Sequence, residues 1–538
     1  MQEKTLNVRL ILHLSAVFVV GFLFFSFLQN PDSLPDPDSY YHAKMARLMI
    51  EKGLVLEEFP SMSFTILKDN YVDYHWLYHV SLIPFISVFG DLLGVRIATI
   101  FFTSLFLVLF YFILHRNNIK YPGLYLLLLA SVPTFILRLS IVKANAVSLC
   151  FLFLGINLML KKKHILLLLL SMVYVWFYGG FILLTGASLV YIISLGVKNT
   201  LDNSAEILKA KIIYGRALKY FFKGVLTLYG WKASFVVLAG NLLGMLINPY
   251  ALTNFKFYWV QIYEIAMVGS PAGFDLARGW YSISGQVLLY ETMVLFIALI
   301  ILISLLLFSK VKVTLEFIFF AALTIAFMIL SKRSLRMFEY SAPISVWFMA
   351  VGFNLLFQST SKEHFLKRIN TLFKAKIPLK GISFILACAV ICISSLFTYG
   401  AIKDVKTLLY NHPLYYLSGP ANWLKENTSR GSIVFNAGWD DWPFLFYFND
   451  HNNYLVGLDP IFMYAYDADK YKLWFKIING NVKENLASII INNFNSRHVV
   501  LSKKRKFKGF IKILTNNPNI IKTFEDSSGF VFRIEESL

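Results

Sequence analysis

RLILHLSAVFVVGFLFFSFL, Arg9–Leu28, is followed closely by DPDSYYHAKMARLMIEKG, Asp36–Gly53. The first stretch is apolar for about 20 residues, the length a helix needs to cross about 30 Å of hydrocarbon. No small-residue cleavage site follows it, so it reads as a retained span. The second stretch opens with two carboxylates. Asp36 suits an N-cap, Pro37 the first helical position, and Gly53 the helix end. Asp38 then lies in the first turn, with His42 one turn further along the same face. Carboxylates this close to a bilayer are costly and often functional. The structural alternative is a pair of acids that complement a helix N-terminus.

Apolar runs of similar length recur through most of the 538 residues, which are 57% hydrophobic and only 15% charged. They predict a polytopic α-helical membrane protein of about 11 spans. These lie near 9–28, 94–114, 121–137, 146–160, 164–178, 181–197, 233–248, 287–308, 314–331, 337–357 and 381–399. With the N-terminus inside, the inner loops carry Arg116 and Lys120, then Lys161 to Lys163, then Lys209 to Lys223. Lys310 and Lys312 follow, then Lys362 to Lys380. Basic inner loops are what membrane insertion favours. They account for the formal charge of +20 without nucleic acid, since no basic stripe interleaves with aromatics on a soluble face. Cys150, Cys388 and Cys392 sit in apolar segments as small hydrophobes, with no disulfide or zinc spacing.

An odd number of spans places residues 400–538 outside. That tail is polar, and short β-rich runs at 432–435, 499–501, 520–524 and 530–534 alternate with helical stretches near 420–426 and 482–494. The expected organisation is a transmembrane unit, 1–399, with an outer loop at 29–78, and an extracytoplasmic α/β domain, 400–538. The plasma membrane is the expected location.

Several cations break the charge rule. Arg138, Lys143, Lys332, Arg333 and Arg336 fall on the outer side. They either snorkel to headgroups or face an anionic ligand. The outer loop ends in DYHWLYH, Asp73 to His79, where His75 and His79 would share a helix face. A polar cavity wall suits this cluster better than a metal site. In the tail, FNAGWDDWPFLFYFNDHNNYLVGLDPIFMY, Phe435 to Tyr464, is dense in Trp, Tyr, Asp and Asn, side chains that stack on sugars and hydrogen-bond to them, or else build an ordinary domain core.

An acidic pair after the first span, running into a Tyr-Tyr-His helix, resembles the catalytic subunit of oligosaccharyltransferases, in the GT-C superfamily of membrane glycosyltransferases. Four further stretches agree in order and side. Trp176 to Phe181, WFYGGF, is similar to the family's Trp-Gly-Gly-Tyr turn. Leu335 to Tyr340, LRMFEY, resembles its Arg-Phe-x-x-Tyr segment. Ala421 to Thr428 looks like the helix that opens its outer domain. Ser432 to Trp442 occupies the place of its Trp-Trp-Asp-Tyr-Gly motif. Two features depart. The second outer loop, RLSIVKAN from Arg138 to Asn145, has cations where the family has acids, and the tail motif reads GWDDWP. Glu264 and Asp275 are candidates for a late acidic residue of the family.

The resemblance implies transfer of a sugar or oligosaccharide from a polyprenyl-phosphate-linked donor, with inversion at the anomeric carbon. Asp38 is the expected base, with Asp36 second, and both are the candidate ligands for Mg or Mn. Arg336, with Arg333, Lys332, Arg138 and Lys143, would bind the donor phosphate. Trp439, Asp440, Asp441, Trp442, His42, Asp73, His75 and His79 would line the sugar or acceptor side. Two other functions remain open: transfer to protein asparagine, and a transporter or assembly subunit without catalysis. The absence of paired repeats and the clustering of polar residues at the outer face speak against a transporter.

Overall fold

A computed structural model describes residues 8–535 apart from 57, 58, 60, 69, 70, 210, 211, 261, 262, 264–280, 283, 308–310, 357–378 and 411. Glu264, Asp275 and most of the basic 362–380 loop lie outside the described residues.

The helices, in chain order, begin with α1 (Val8–Leu28), α2 (Asp38–Lys52), α3 (Trp76–Phe89) and α4 (Asp91–Arg116). Next come α5 (Pro122–Ala130), α6 (Pro133–Ser140), α7 (Asn145–Leu160), α8 (His164–Phe177) and α9 (Phe181–Asp202). They are followed by α10 (Ser204–Leu208), α11 (Ile213–Val225), α12 (Leu228–Ile247) and α13 (Ala251–Trp259). Then come α14 (Gly285–Leu307), α15 (Leu315–Arg333) and α16 (Phe338–Leu356). A long helix, Leu379–Leu409, leads to the tail.

Each expected span coincides with helix, but the number of crossings is a different matter. Among the described residues six helices are long and apolar enough to cross a membrane, or seven if one bent pair counts as a span. The expectation of 11 is thus not met by length and composition. Two of the shortfalls are α7 and α8, with 16 and 14 residues. At 1.5 Å per residue these reach only about 21–24 Å. The chain is nevertheless a multi-pass membrane protein, because its long helices expose many apolar side chains, such as Leu23, Phe27 and Ile300.

The bent pair corrects the expected 121–137 span. α5 and α6 meet at 84°. Pro133 opens α6, and Val132 before it is extended, φ −104° and ψ 105°, since proline disfavours the helical region for its predecessor. Elsewhere close packing is local and glycine-dependent. On α12, a Cβ at Gly240 or Gly244 would lie 2.6 or 2.4 Å from the α8 carbonyl oxygens of Leu168 and Met172. Small residues one turn apart let the two backbones touch.

Two devices fasten the outer loop to the tail. β1 (Ser33–Leu34) pairs antiparallel with β2 (His412–Pro413). The tail then forms a five-stranded sheet in the order β4-β3-β5-β7-β6. Its strands are β3 (Ile433–Asn436), β4 (Asn453–Tyr454), β5 (Ser496–Ser502), β6 (Ile520–Glu525) and β7 (Gly529–Ile534). β3 runs parallel to both β4 and β5, while β7 is antiparallel to β5 and β6. Residues 61–64 of the outer loop lie along the β4 edge: Ser63 N donates to Tyr454 O (2.7 Å), Phe64 N to Leu455 O (3.1 Å) and Tyr454 N to Ser61 O (3.0 Å). An otherwise open sheet edge is thereby covered. Phe435, Trp474, Phe494 and Phe532 fill the core against the sheet.

Candidate active site

α2 starts close to where its sequence predicts. Asp36 Oδ1 accepts from Asp38 N (2.9 Å), and Gly53 ends the helix with φ +104°. The cap turns Asp38, Tyr41 and His42 into a cavity of about 190 Å³. Six other segments complete it, one of them α13 through Tyr258. Tyr74 and His75 come from the approach to α3, Lys143 from the α6–α7 link, and Tyr178, Gly179 and Gly180 from the α8–α9 turn. Arg336, Met337, Glu339 and Tyr340 come from the start of α16 and the single 3-10 turn (Leu335–Met337) before it. Leu458, Asp459 and Phe462 descend from the sheet domain, so membrane unit and tail share one cavity.

Charge is arranged in three groups. Lys143 Nζ lies 2.9 Å from Asp36 Oδ2 and 2.8 Å from Asp38 Oδ2. Burial pushes the Lys143 pKa down, but the two carboxylates outweigh it and the ammonium is held above its usual range. This cation therefore occupies the position between the two acids. In the second group, Arg138 Nε and Nη2 each lie 2.8 Å from Glu339 Oε2. Glu339 is fully buried, and its other oxygen, Oε1, has no hydrogen-bond partner among the described residues.

The third group is a buried chain: Asp73 Oδ2 lies 2.7 Å from His79 Nδ1, and His79 Nε2 lies 2.7 Å from His42 Nδ1. Asp73 Oδ1 also accepts from His75 N (3.0 Å), and the His75 ring stacks on Tyr178, with centroids 5.4 Å apart. Burial, then the neighbouring imidazoles and Lys143, hold His42 and His75 well below the usual histidine range. Both rings are neutral near pH 7.

The expected site residues thus divide. Asp38, His42, His75, Lys143 and Arg336 share the cavity. Asp36, Asp73, His79 and Arg138 stand directly behind it through the contacts just described. Lys332 lines a separate apolar groove between α14, α15 and α16, with Leu295, Thr324 and Phe348. Arg333 ends α15 and does not line the cavity.

Trp439, Asp440, Asp441 and Trp442 do not line it either. Asp440 pairs with Lys504 (2.6 Å) and Lys506 (3.3 Å), and Asp441 pairs with Lys504 (2.7 Å) and accepts from Ser502 Oγ (2.6 Å). Burial pushes the Asp440 carboxyl up, but the two ammonium groups outweigh it and lower it overall. Trp439 belongs to the sheet core, and Trp442 stacks on Phe446 with centroids 4.7 Å apart.

Tyr41, Tyr74, Tyr178, Tyr258, Glu339, Asp459 and Phe462 were not singled out by the sequence as site residues. Glu339 did carry a signal, as an acid within an apolar run. Asp459 and Phe462 lie in the Phe435–Tyr464 stretch read as a candidate for sugar recognition, whereas the tyrosines carried nothing that distinguishes them from interfacial aromatics.

From the helical unit to the sheet domain, the fold matches that of solved structures. In particular, the chain is similar to ArnT from Cupriavidus metallidurans bound to undecaprenyl phosphate, with a TM-score of 0.54, 13% identity and 97% of each chain covered. The apo state of the same protein gives a TM-score of 0.50, again at 13% identity over 97% of each chain. No protein-family model matches the chain, and no curated protein sequence does.

Proposed function

We propose that this protein is a membrane glycosyltransferase that moves a sugar or oligosaccharide from a polyprenyl-phosphate-linked donor to an acceptor at the extracytoplasmic face. The observation that carries the reading is one cavity, at the junction of an apolar helical unit and a polar domain, that gathers a carboxylate and two cations: Asp38, Lys143 and Arg336. The 97% coverage by a fold that holds undecaprenyl phosphate in ArnT supports the donor class.

In this reading Arg336 binds the phosphate oxygens through its planar fork, and Lys143 adds charge beside them. Both offset the negative charge that grows as the bond from the anomeric carbon to the phosphate oxygen breaks. Asp38 takes the proton from the acceptor hydroxyl or amine as its atom attacks the anomeric carbon. Attack from the face opposite the leaving phosphate inverts that carbon, and polyprenyl phosphate departs. Leu458, Asp459 and Phe462 line the cavity from the sheet domain. With Lys143 already between Asp36 and Asp38, these steps require no Mg or Mn there.

Mass analysis of glycolipids and glycoproteins tests the reading. Cells lacking the protein should lose a sugar-bearing product and accumulate its polyprenyl-phosphate donor. Asp38→Asn should reproduce that pattern, and unchanged profiles in both strains would refute it. The proposed side of the membrane has its own test. Cysteines introduced into 400–535 should react with an impermeant reagent in intact cells, and those at 362–380 should not.

A further inference from the structure

Three imidazoles and a carboxylate buried beside the cavity are more than the proposed transfer uses. One nitrogen from each of His42, His75 and His79 lies within 4.8 Å of the others. His42 is 2% exposed, His75 7% and His79 0%. The hydrogen-bonded chain satisfies two of the rings, but His75 Nδ1 is buried with no hydrogen-bond partner among the described residues. A buried polar nitrogen without a partner costs about 1–3 kcal/mol. Three rings converging on one point, one of them unsatisfied, call for a ligand at that point.

The geometry points to a site for a borderline-soft divalent ion of the Zn²⁺ class, held by His42, His75 and His79. The donor set is all imidazole nitrogen, which selects zinc-like ions over Mg²⁺ or Ca²⁺, whose preferred ligands are oxygens. Asp73 stands where the carboxylate of a carboxylate–histidine–metal arrangement stands. It binds the far nitrogen of His79 at 2.7 Å, which fixes the tautomer with the lone pair on Nε2. Metal–nitrogen bonds of about 2.0–2.1 Å at tetrahedral angles set the nitrogens about 3.3 Å apart. His42 and His79, now 2.7 Å apart, would open slightly, and His75 would close inward.

Three protein ligands leave one position free. His42 and His75 both line the cavity, so that position faces it and takes water or an oxygen of the bound substrate. The site is distinct from the Asp36–Asp38 pair, whose shared cation is Lys143.

The test reads metal content, and so stands whether or not transfer is ever detected. Full-length protein purified in detergent is stripped with chelator, dialysed, then titrated with Zn²⁺ and with Co²⁺ as a spectroscopic probe. The expected result is about one equivalent per chain, with the visible bands of a tetrahedral Co²⁺ site. His75→Ala should lose those bands. The His75 ring makes no hydrogen bond among the described residues, so the variant should still melt cooperatively. Asp73→Asn should bind about 10–100-fold more weakly. A wild-type protein that binds Co²⁺ no better than folded His75→Ala would overturn the site and leave Asp73, His79 and His42 as a hydrogen-bonded relay only.

Discussion

At the scale of residues, Asp38 and Arg336 decide the proposed chemistry. Asp38 is 35% exposed and faces the cavity, while Asp36 is 18% exposed and caps α2 with one oxygen. Asp38→Asn should lower transfer by about 10²–10⁴ in rate, the usual worth of a general base. Asp36→Asn should cost less, because asparagine caps about as well as aspartate. Turnover assays on both variants, with donor binding measured alongside, check this; normal transfer by Asp38→Asn would remove it from the role. The cations separate in the same way. Arg336→Ala should weaken donor binding, since the side chain lines the cavity, whereas Lys332→Ala should not, since it lines an apolar groove elsewhere. Equal donor affinity in the two variants would count against Arg336.

At the scale of elements, what was legible in the sequence was local. The cap at Asp36, the stop at Gly53 and the strand runs of the tail depend on neighbours in the chain, and the structure places them within a residue or a few of their expected positions. Distant pairings were not legible. Arg138 read as a phosphate ligand, yet its partner is Glu339, 201 residues away. Asp440 and Asp441 read as sugar ligands from their motif position, and Lys504, 64 residues beyond Asp440, takes their charge instead. The bend at Val132 was signalled by Pro133, but apolar length outweighed it in the reading of a straight span.

The Arg138–Glu339 pair joins α6 to α16 at the cavity wall, which Glu339 lines. Glu339→Gln would leave a guanidinium that is 8% exposed with no counter-charge on that side. Removing one partner of a buried pair costs about 3–5 kcal/mol. Thermal unfolding in detergent should show a marked loss for Glu339→Gln. The double variant Arg138→Met with Glu339→Met should recover part of it, because no isolated charge remains. A Glu339→Gln protein as stable as wild type would mean that water or lipid already compensates Arg138.

At the scale of the molecule, the cavity takes part of its wall from the sheet domain, through Leu458, Asp459 and Phe462. Leu458 and Asp459 directly follow Gly457, which packs on Trp442 so closely that a Cβ would lie 2.3 Å from the indole. The indole has little room to yield. It is fully buried, stacks on Phe446, lies with centroids 5.9 Å from Tyr41 of α2 and 6.1 Å from Phe59, and donates from Nε1 to Ser61 O (3.3 Å). Gly457→Ala must therefore shift either the indole, which carries α2 and the outer loop with it, or the segment that lines the site. Overpacking of this kind costs about 1–3 kcal/mol, and a displacement of about 1 Å at a reacting site can cost about 10² in rate. The expected result is a modest fall in melting temperature with a disproportionate fall in transfer. Lys504→Met serves as the comparison, because it loosens an ion cluster that does not line the cavity. It should lower stability by a similar amount while transfer per folded molecule is preserved. If Gly457→Ala and Lys504→Met lost stability and transfer in the same proportion, the contact at Trp442 would be general packing rather than the joint that sets this part of the cavity wall.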